Sequence, residues 1–305
     1  PPESDLPQTP DFRGFPAEHS LSPQLRREML RAIKRRRTFL DLNGPVENKL
    51  LKLNIRTKNL EDTAKDLRSI LDVSLETQCS VKDANAAFSL WLRAVENAGV
   101  LVFHMSRISL DECRGFSIYE EQVPVIVLNG SDPMEARSFT LLHEVAHLLT
   151  KSSSLCLLSH NNNVEAFCNA LAAEVLMPRH AILRELGNDD PILSINRLAE
   201  HFHVSREATA VRLRTLNKIS SKELEEIRQE ISQRVQELRE RQRKQKGGPP
   251  HYKTQLRNLG VPFVTAVMEA YDSDEISLVD AAIYLESKIG TIDRMVIALL
   301  EGAVE

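Results

Sequence analysis

Cysteine is scarce in this chain. Cys79, Cys113, Cys156 and Cys168 are spread over 305 residues and no two form a CxxC pair. A disulfide framework is thereby disfavoured, and reduced thiols in a cytoplasmic protein are expected. Long apolar runs are missing too. None approaches the roughly 18–20 residues of a membrane span, and no signal peptide opens the chain. Net charge is small: 39 basic against 43 acidic side chains leave −4. Attraction to nucleic acid can then come only from local patches. The chain begins PPESDLPQTP without an initiator Met, so a further segment upstream is expected.

What is present suffices for a sizeable core and two domains. Residues 1–20 hold five prolines and read as an extended lead-in. Ser22-Pro23 opens a basic helix that Asn43-Gly44-Pro45 stops. Helical patterns follow around Leu60–Leu71 and Val81–Asn97. GVLVFH at 99–104 is β-rich, and GFSIYEEQVPVIVLNG at 115–130 reads as two strands about a polar turn. Pro124 opens the second of these, Val123–Asn129. Proline cannot donate to a ladder, so an edge strand is expected there. Asp132-Pro133 starts a helix, and another runs from about Asn163 to Met177. The expected fold is α+β and mostly α-helical, with one small sheet. Its expected parts are a main α+β domain at 21–190, a helix-turn-helix-like unit at 191–220 and a charged amphipathic helix at 221–246. A linker at 247–250 and a C-terminal helical module at 251–305 complete it.

LLHEVAHLL at 141–149 carries the chemistry. Residues i and i+4 share a helix face, so His143 and His147 can offer two imidazoles to one metal ion. Glu144, turned roughly 100° away, is placed to take a proton from a water on that metal. This is the HExxH arrangement, with the glutamate as general base. Zn²⁺ suits imidazole and carboxylate ligands, although a His₂Glu set also accepts other divalent ions. Glu165 and Asn169, again i and i+4, lie on the following helix. One can ligate while the other braces a ligand histidine, and Glu174 is a further bracing candidate. The plainer alternative is a buried helix whose polar groups are satisfied by neighbours. An edge strand just upstream favours the site, because a peptide can add to it as an extra strand.

GFSIYEEQVPVIVLNGSDPMEARSFTLLHEVAHLL, followed by VEAFCNALAAEVLMP, resembles the ImmA/IrrE family of metallopeptidases. The likeness continues through LAEHFHVSREATAVRLRTL, and TPDFR and GGPPHYKTQLRNLG resemble its longer members. It implies a zincin-like core and a gluzincin-like site, with His143, His147 and Glu165 as zinc ligands and Glu144 as base. It also implies a protein substrate. In such families this is an Xre-type helix-turn-helix repressor, cleaved to release stress-response, phage or mobile-element genes. Many long members carry an Xre-type DNA-binding domain before the proline-rich segment, and this chain shows none.

Other features compete for a role. His160, Tyr119 and Arg137 are candidate donors to the cleaved carbonyl, although His160 reads equally as an exposed loop residue. Ile195–Leu216 reads as two helices about the turn HVS, with Leu198, Phe202, Val204, Val211 and Leu216 as its small core. Its second helix would offer Arg206, Thr209 and Arg212 to DNA, yet such a unit is also a plain packing element. RREMLRAIKRRR holds seven basic residues against Glu28. Such a patch can bind nucleic acid or an acidic partner; by default it reads as a solvated face, with Glu223, Glu225 and Glu226 as candidate counter-charges within the chain. The competing functional class is therefore a regulator that binds DNA or a repressor around a structural or vestigial metal site. A third reading is a toxin-like protease of a two-gene module. No membrane partner is expected, and the oligomeric state, a dimer included, stays open.

Overall fold

A computed structural model of the chain describes residues 21–53, 59–151, 154–155, 162–242 and 250–300. The Pro-rich lead-in, Cys156, His160 and most of the 247–250 linker lie outside the described residues.

Helix α1 (Pro23–Asn43) has Pro at its first position and Ser22 as N-cap, whose hydroxyl accepts from the Leu25 N–H at 3.1 Å. Then come α2 (Leu60–Leu71), α3 (Leu75–Ser80) and α4 (Ala84–Asn97), which lead into strand β1 (Leu101–Met105). Strands β2 (Gly115–Ile118) and β3 (Val125–Asn129) precede α5 (Met134–Leu149), the two-residue strand β4 (Ser154–Leu155) and α6 (Asn162–Leu176). Beyond lie α7 (Arg179–Leu186), α8 (Ile195–Phe202), α9 (Arg206–Thr215) and α10 (Ser221–Gln242). The last four helices are α11 (His251–Leu259), α12 (Val261–Asp272), α13 (Leu278–Tyr284) and α14 (Ile289–Leu300). Among the described residues no helix is long and apolar enough to cross a membrane.

The sheet is mixed, in the order β1-β3-β2-β4, with β1 parallel and β2 antiparallel to β3. The strand after Pro124 is thus interior and not the edge expected from the sequence. Pro124 stands just before the ladder, where its missing N–H costs nothing and its carbonyl accepts from Leu101 at 2.9 Å. The edges are β1, which packs under α4 and α11, and the short β4.

All five residues of β1 and of β3 are buried. A strand buried on both faces needs no polar alternation. Val102, Ile126 and Leu128 point into a core built from α2, α4, α5, α6 and the helices to α10. Leu101, Phe103, Met105, Val125 and Val127 point into a second core with α1 and α11–α14. The expected C-terminal module therefore shares its core with α1 and the sheet. Basic α1 finds its counter-charges there. Arg35 donates to Glu286 at 2.8 Å, and Arg36 pairs with Glu120 at 3.4 Å. These take the place expected for Glu223, Glu225 and Glu226.

Gly260 ties the α11–α12 turn to the sheet. Its φ is +73°, and a Cβ there would stand 2.4 Å from the Val102 carbonyl oxygen. Gly260→Ala is expected to cost about 1–3 kcal/mol in backbone strain before the clash is counted. A denaturant midpoint equal to that of the parent would contradict this close approach.

Candidate metal centre

The start of α5 is pinned by buried Asp132. Its carboxylate accepts from Thr140 at 3.2 Å and from Arg114 at 2.9 Å, and its backbone carbonyl accepts from Arg137. Arg137 also binds the Gly130 carbonyl, and its guanidinium lies 5.4 Å from the centre of the Phe88 ring. It braces the strand-to-helix turn, so the alternative of a carbonyl-polarising Arg137 is not what the geometry shows. From this start the helix delivers a continuous apolar surface. Leu141, Leu142, Val145, Ala146, Leu148 and Leu149 are all buried.

The remaining face carries the polar cluster. The Nε2 atoms of His143 and His147 are 3.1 Å apart. Glu165, in the first turn of α6, places Oε2 at 3.4 Å from His143 Nε2 and Oε1 at 3.1 Å from His147 Nε2. The three donor groups lie within 4.8 Å of one another. Ligands held at 2.0–2.1 Å by one tetrahedral zinc stand about 3.3 Å apart, so this spacing fits a shared cation. Two imidazole nitrogens facing each other at 3.1 Å otherwise need a shared proton. Two imidazoles and one carboxylate are also a donor set that leaves a fourth tetrahedral position open.

Glu144 is fully buried. Its charge raises the pKa of His143, Cys113 and Cys168, which places the carboxylate near all three. Cys168, one turn beyond Glu165, is pushed up to about 12, first by burial and then by Glu165 and Glu144. It stays a thiol. The cysteines among the described residues are unpaired, as their spacing implied.

Burial alone would lower the His143 pKa. The Glu165 hydrogen bond, the charges of Glu144 and Glu165, and the Asn169 amide outweigh it, and the net shift is upward. A raised value stabilises the metal-free fold below the free-imidazole pKa of about 6.5. That contribution is lost as pH rises through the folded value. A metal ion takes neutral imidazole, so protons compete with it. Metal affinity is therefore expected to begin falling on acidification at a pH above about 6.5. Isothermal titration across this range checks it, and a flat affinity would contradict it.

Asn169 reaches His143 from the next turn of α6, consistent with a bracing position. Phe139, one turn before His143, stacks on its imidazole with ring centres 6.4 Å apart. Sequence reasoning passed over this residue, although its i, i+4 spacing was the available signal. Tyr119 lies just beyond β2, half-buried against the core that carries α5.

Three expected residues are corrected. Glu174 does not brace the cluster. It pairs with Arg212 and accepts from the Arg179 N–H at 2.9 Å. Arg212 is buried, with Nε donating to the Met177 carbonyl at 3.0 Å. Thr209 is completely buried, and its hydroxyl donates to the Ser205 carbonyl at 3.1 Å. Neither Thr209 nor Arg212 is available to DNA. Arg206 donates to Glu230 of α10 at 3.1 Å. Helices α8 and α9 follow one another about a short turn, with His203 in the left-handed region and Ser205 capping α9. Leu198, Phe202 and Val204 are buried as expected, together with Ala210, Leu213 and Ile219, while Val211 is exposed.

No curated protein matches the chain. Residues 95–214 match the family model described as Peptidase_M78, IrrE N-terminal-like domain. The match begins near the end of α4, contains the whole sheet and the His143–His147–Glu165 cluster, and ends in α9. This stretch is therefore similar to an IrrE N-terminal-like domain, in line with the ImmA/IrrE resemblance.

Proposed function

We propose that the protein is a zinc-dependent endopeptidase whose substrate is a helix-turn-helix repressor. The convergence of two Nε2 atoms and one carboxylate within 4.8 Å carries this reading, supported by the metallopeptidase family of the surrounding domain. His143, His147 and Glu165 would hold the metal. When bound, the ion would supply Lewis acidity at the site. Glu144 takes a proton from the attacking water and passes it to the leaving amine. Asn169 and Phe139 fix the orientation of His143. The peptide is presented in extended form along the β2–β4 side of the sheet, since β2 is the strand most in contact with α5. Tyr119, at the end of β2, is the donor proposed for the developing oxyanion.

The test combines metal analysis with incubation of the purified protein and any helix-turn-helix repressor found encoded beside it. Chelation is expected to abolish cleavage, and added Zn²⁺ to restore it. Cleavage that persists after complete metal removal would contradict the mechanism. The rival DNA-binding regulator loses its main support with the burial of Thr209 and Arg212. Salt-dependent binding of a specific DNA site, with no proteolysis, would revive it.

A further inference from the structure

A cavity of about 280 Å³ lies at the start of β1. Its walls come from the end of α1, the α4–β1 turn, Val123 and α12, and none of the residues lining it belongs to α5 or α6. Phe39, Val46, Leu101 and Ala266 make it largely apolar. Its charged lining residues, among those described, are Glu96 and Glu269, and no Lys or Arg lines it.

Glu96 is the anomaly. Its Oε1 is buried and has no hydrogen-bond partner. Burial pushes the carboxyl up to about 8, although Arg93, one turn back on α4, pulls the other way. Glu96 lines the cavity, and its buried, unpaired Oε1, packed beside Gly260, calls for an explanation. Val123 supplies a second oddity at the same wall. It is β-branched yet has φ +52°, in the left-handed region. Arg36 holds this turn by donating to the Gln122 and Val123 carbonyls at 2.7 and 2.9 Å. Strained backbone of this kind concentrates at ligand clamps.

We propose that this cavity binds a small organic cation, an ammonium group on an apolar body, with Glu96 as its buried counter-ion. The apolar body packs against Phe39, Leu101 and Ala266, and exposed Glu269 adds negative charge at the mouth. Cation binding favours the Glu96 carboxylate, so the proton leaves Glu96 for the buffer. The site is independent of the peptidase reading, because it shares no side chain with the metal cluster.

Phenethylamine is a suitable probe, with 3-phenylpropionate as its anionic counterpart. Calorimetry on the full chain at neutral pH is expected to show saturable binding of one amine per chain. Its heat should depend on the buffer, reflecting release of close to one proton. The propionate is expected not to bind. Glu96→Gln should lower amine affinity about tenfold or more and abolish the proton release, with metal content and melting temperature kept. If that variant does not fold, Thr265→Phe, which fills the cavity from α12, should lower affinity instead. Absence of saturable binding at millimolar amine would overturn the proposal. So would equal binding of the propionate, or unchanged amine affinity in the folded variants.

Discussion

Glu144→Gln is expected to bind metal at full stoichiometry while its peptide cleavage falls by about 10²–10⁴-fold, the usual contribution of a positioned general base. Glu144 stands outside the three donors that converge, so the ligand set survives the change. Its carboxylate is fully buried, which makes the isosteric amide the right replacement. Alanine would open a cavity and mix a packing loss with a chemical one. The amide keeps the volume and loses only the ability to accept a proton. The loss should appear equally in kcat and kcat/KM, because the base acts in the transition state. Glu165→Gln should behave differently and lose metal together with activity. Metal analysis beside repressor cleavage separates the two variants. Full activity in Glu144→Gln would remove the proposed base.

Arg212→Ala is expected to be among the most destabilising single changes outside the metal centre. Arg212 and Glu174 form an ion pair whose side chains are only 5 and 6 % exposed. Removing one member leaves the other charge buried and unpaired, at a cost of about 3–5 kcal/mol. For a chain of this size the melting temperature should fall by roughly 10 °C. The double variant Arg212→Met, Glu174→Leu should recover much of this loss, because two packed apolar groups replace two desolvated charges. Recovery will be incomplete, since the Met177 carbonyl and the Arg179 N–H lose their partners. Thermal unfolding of both single variants and the double variant forms the cycle. Single variants as stable as the parent would mean that the pair does not tie α6 to α9.

The two outcomes show where the sequence could be read and where it could not. HExxH encodes its own geometry, because spacing on one helix fixes which side chains share a face. Glu165 was accessible by similar logic, since it lies in the first turn of the next helix. Arg212 offered no comparable signal. A basic residue on the second helix of a helix-turn-helix looks the same whether it faces phosphate or a buried glutamate. Only the packing of α9 against its neighbours decides, and that is a long-range fact. Pro124 misled for a related reason. Proline is barred from a ladder, not from the residue before one, and a shift of one position separates the two cases. Helices α3 and α7, six and eight residues long, were too short for a periodic pattern to declare itself.

The doubly covered sheet also distinguishes the module that recurs between proteins from the unit that folds. The stretch 95–214 supplies every described strand but leaves one side of them bare and covers the other only in part, since α2 and most of α4 precede it. Cut out alone, it would turn Leu101, Phe103, Met105, Val125 and Val127 into a ribbon of wetted hydrocarbon. Helix α1 and helices α11–α14, far apart along the chain, jointly form the missing wall. Catalytic inheritance and thermodynamic autonomy therefore have different borders in this protein, and a fragment trimmed to the first is expected to aggregate for want of the second.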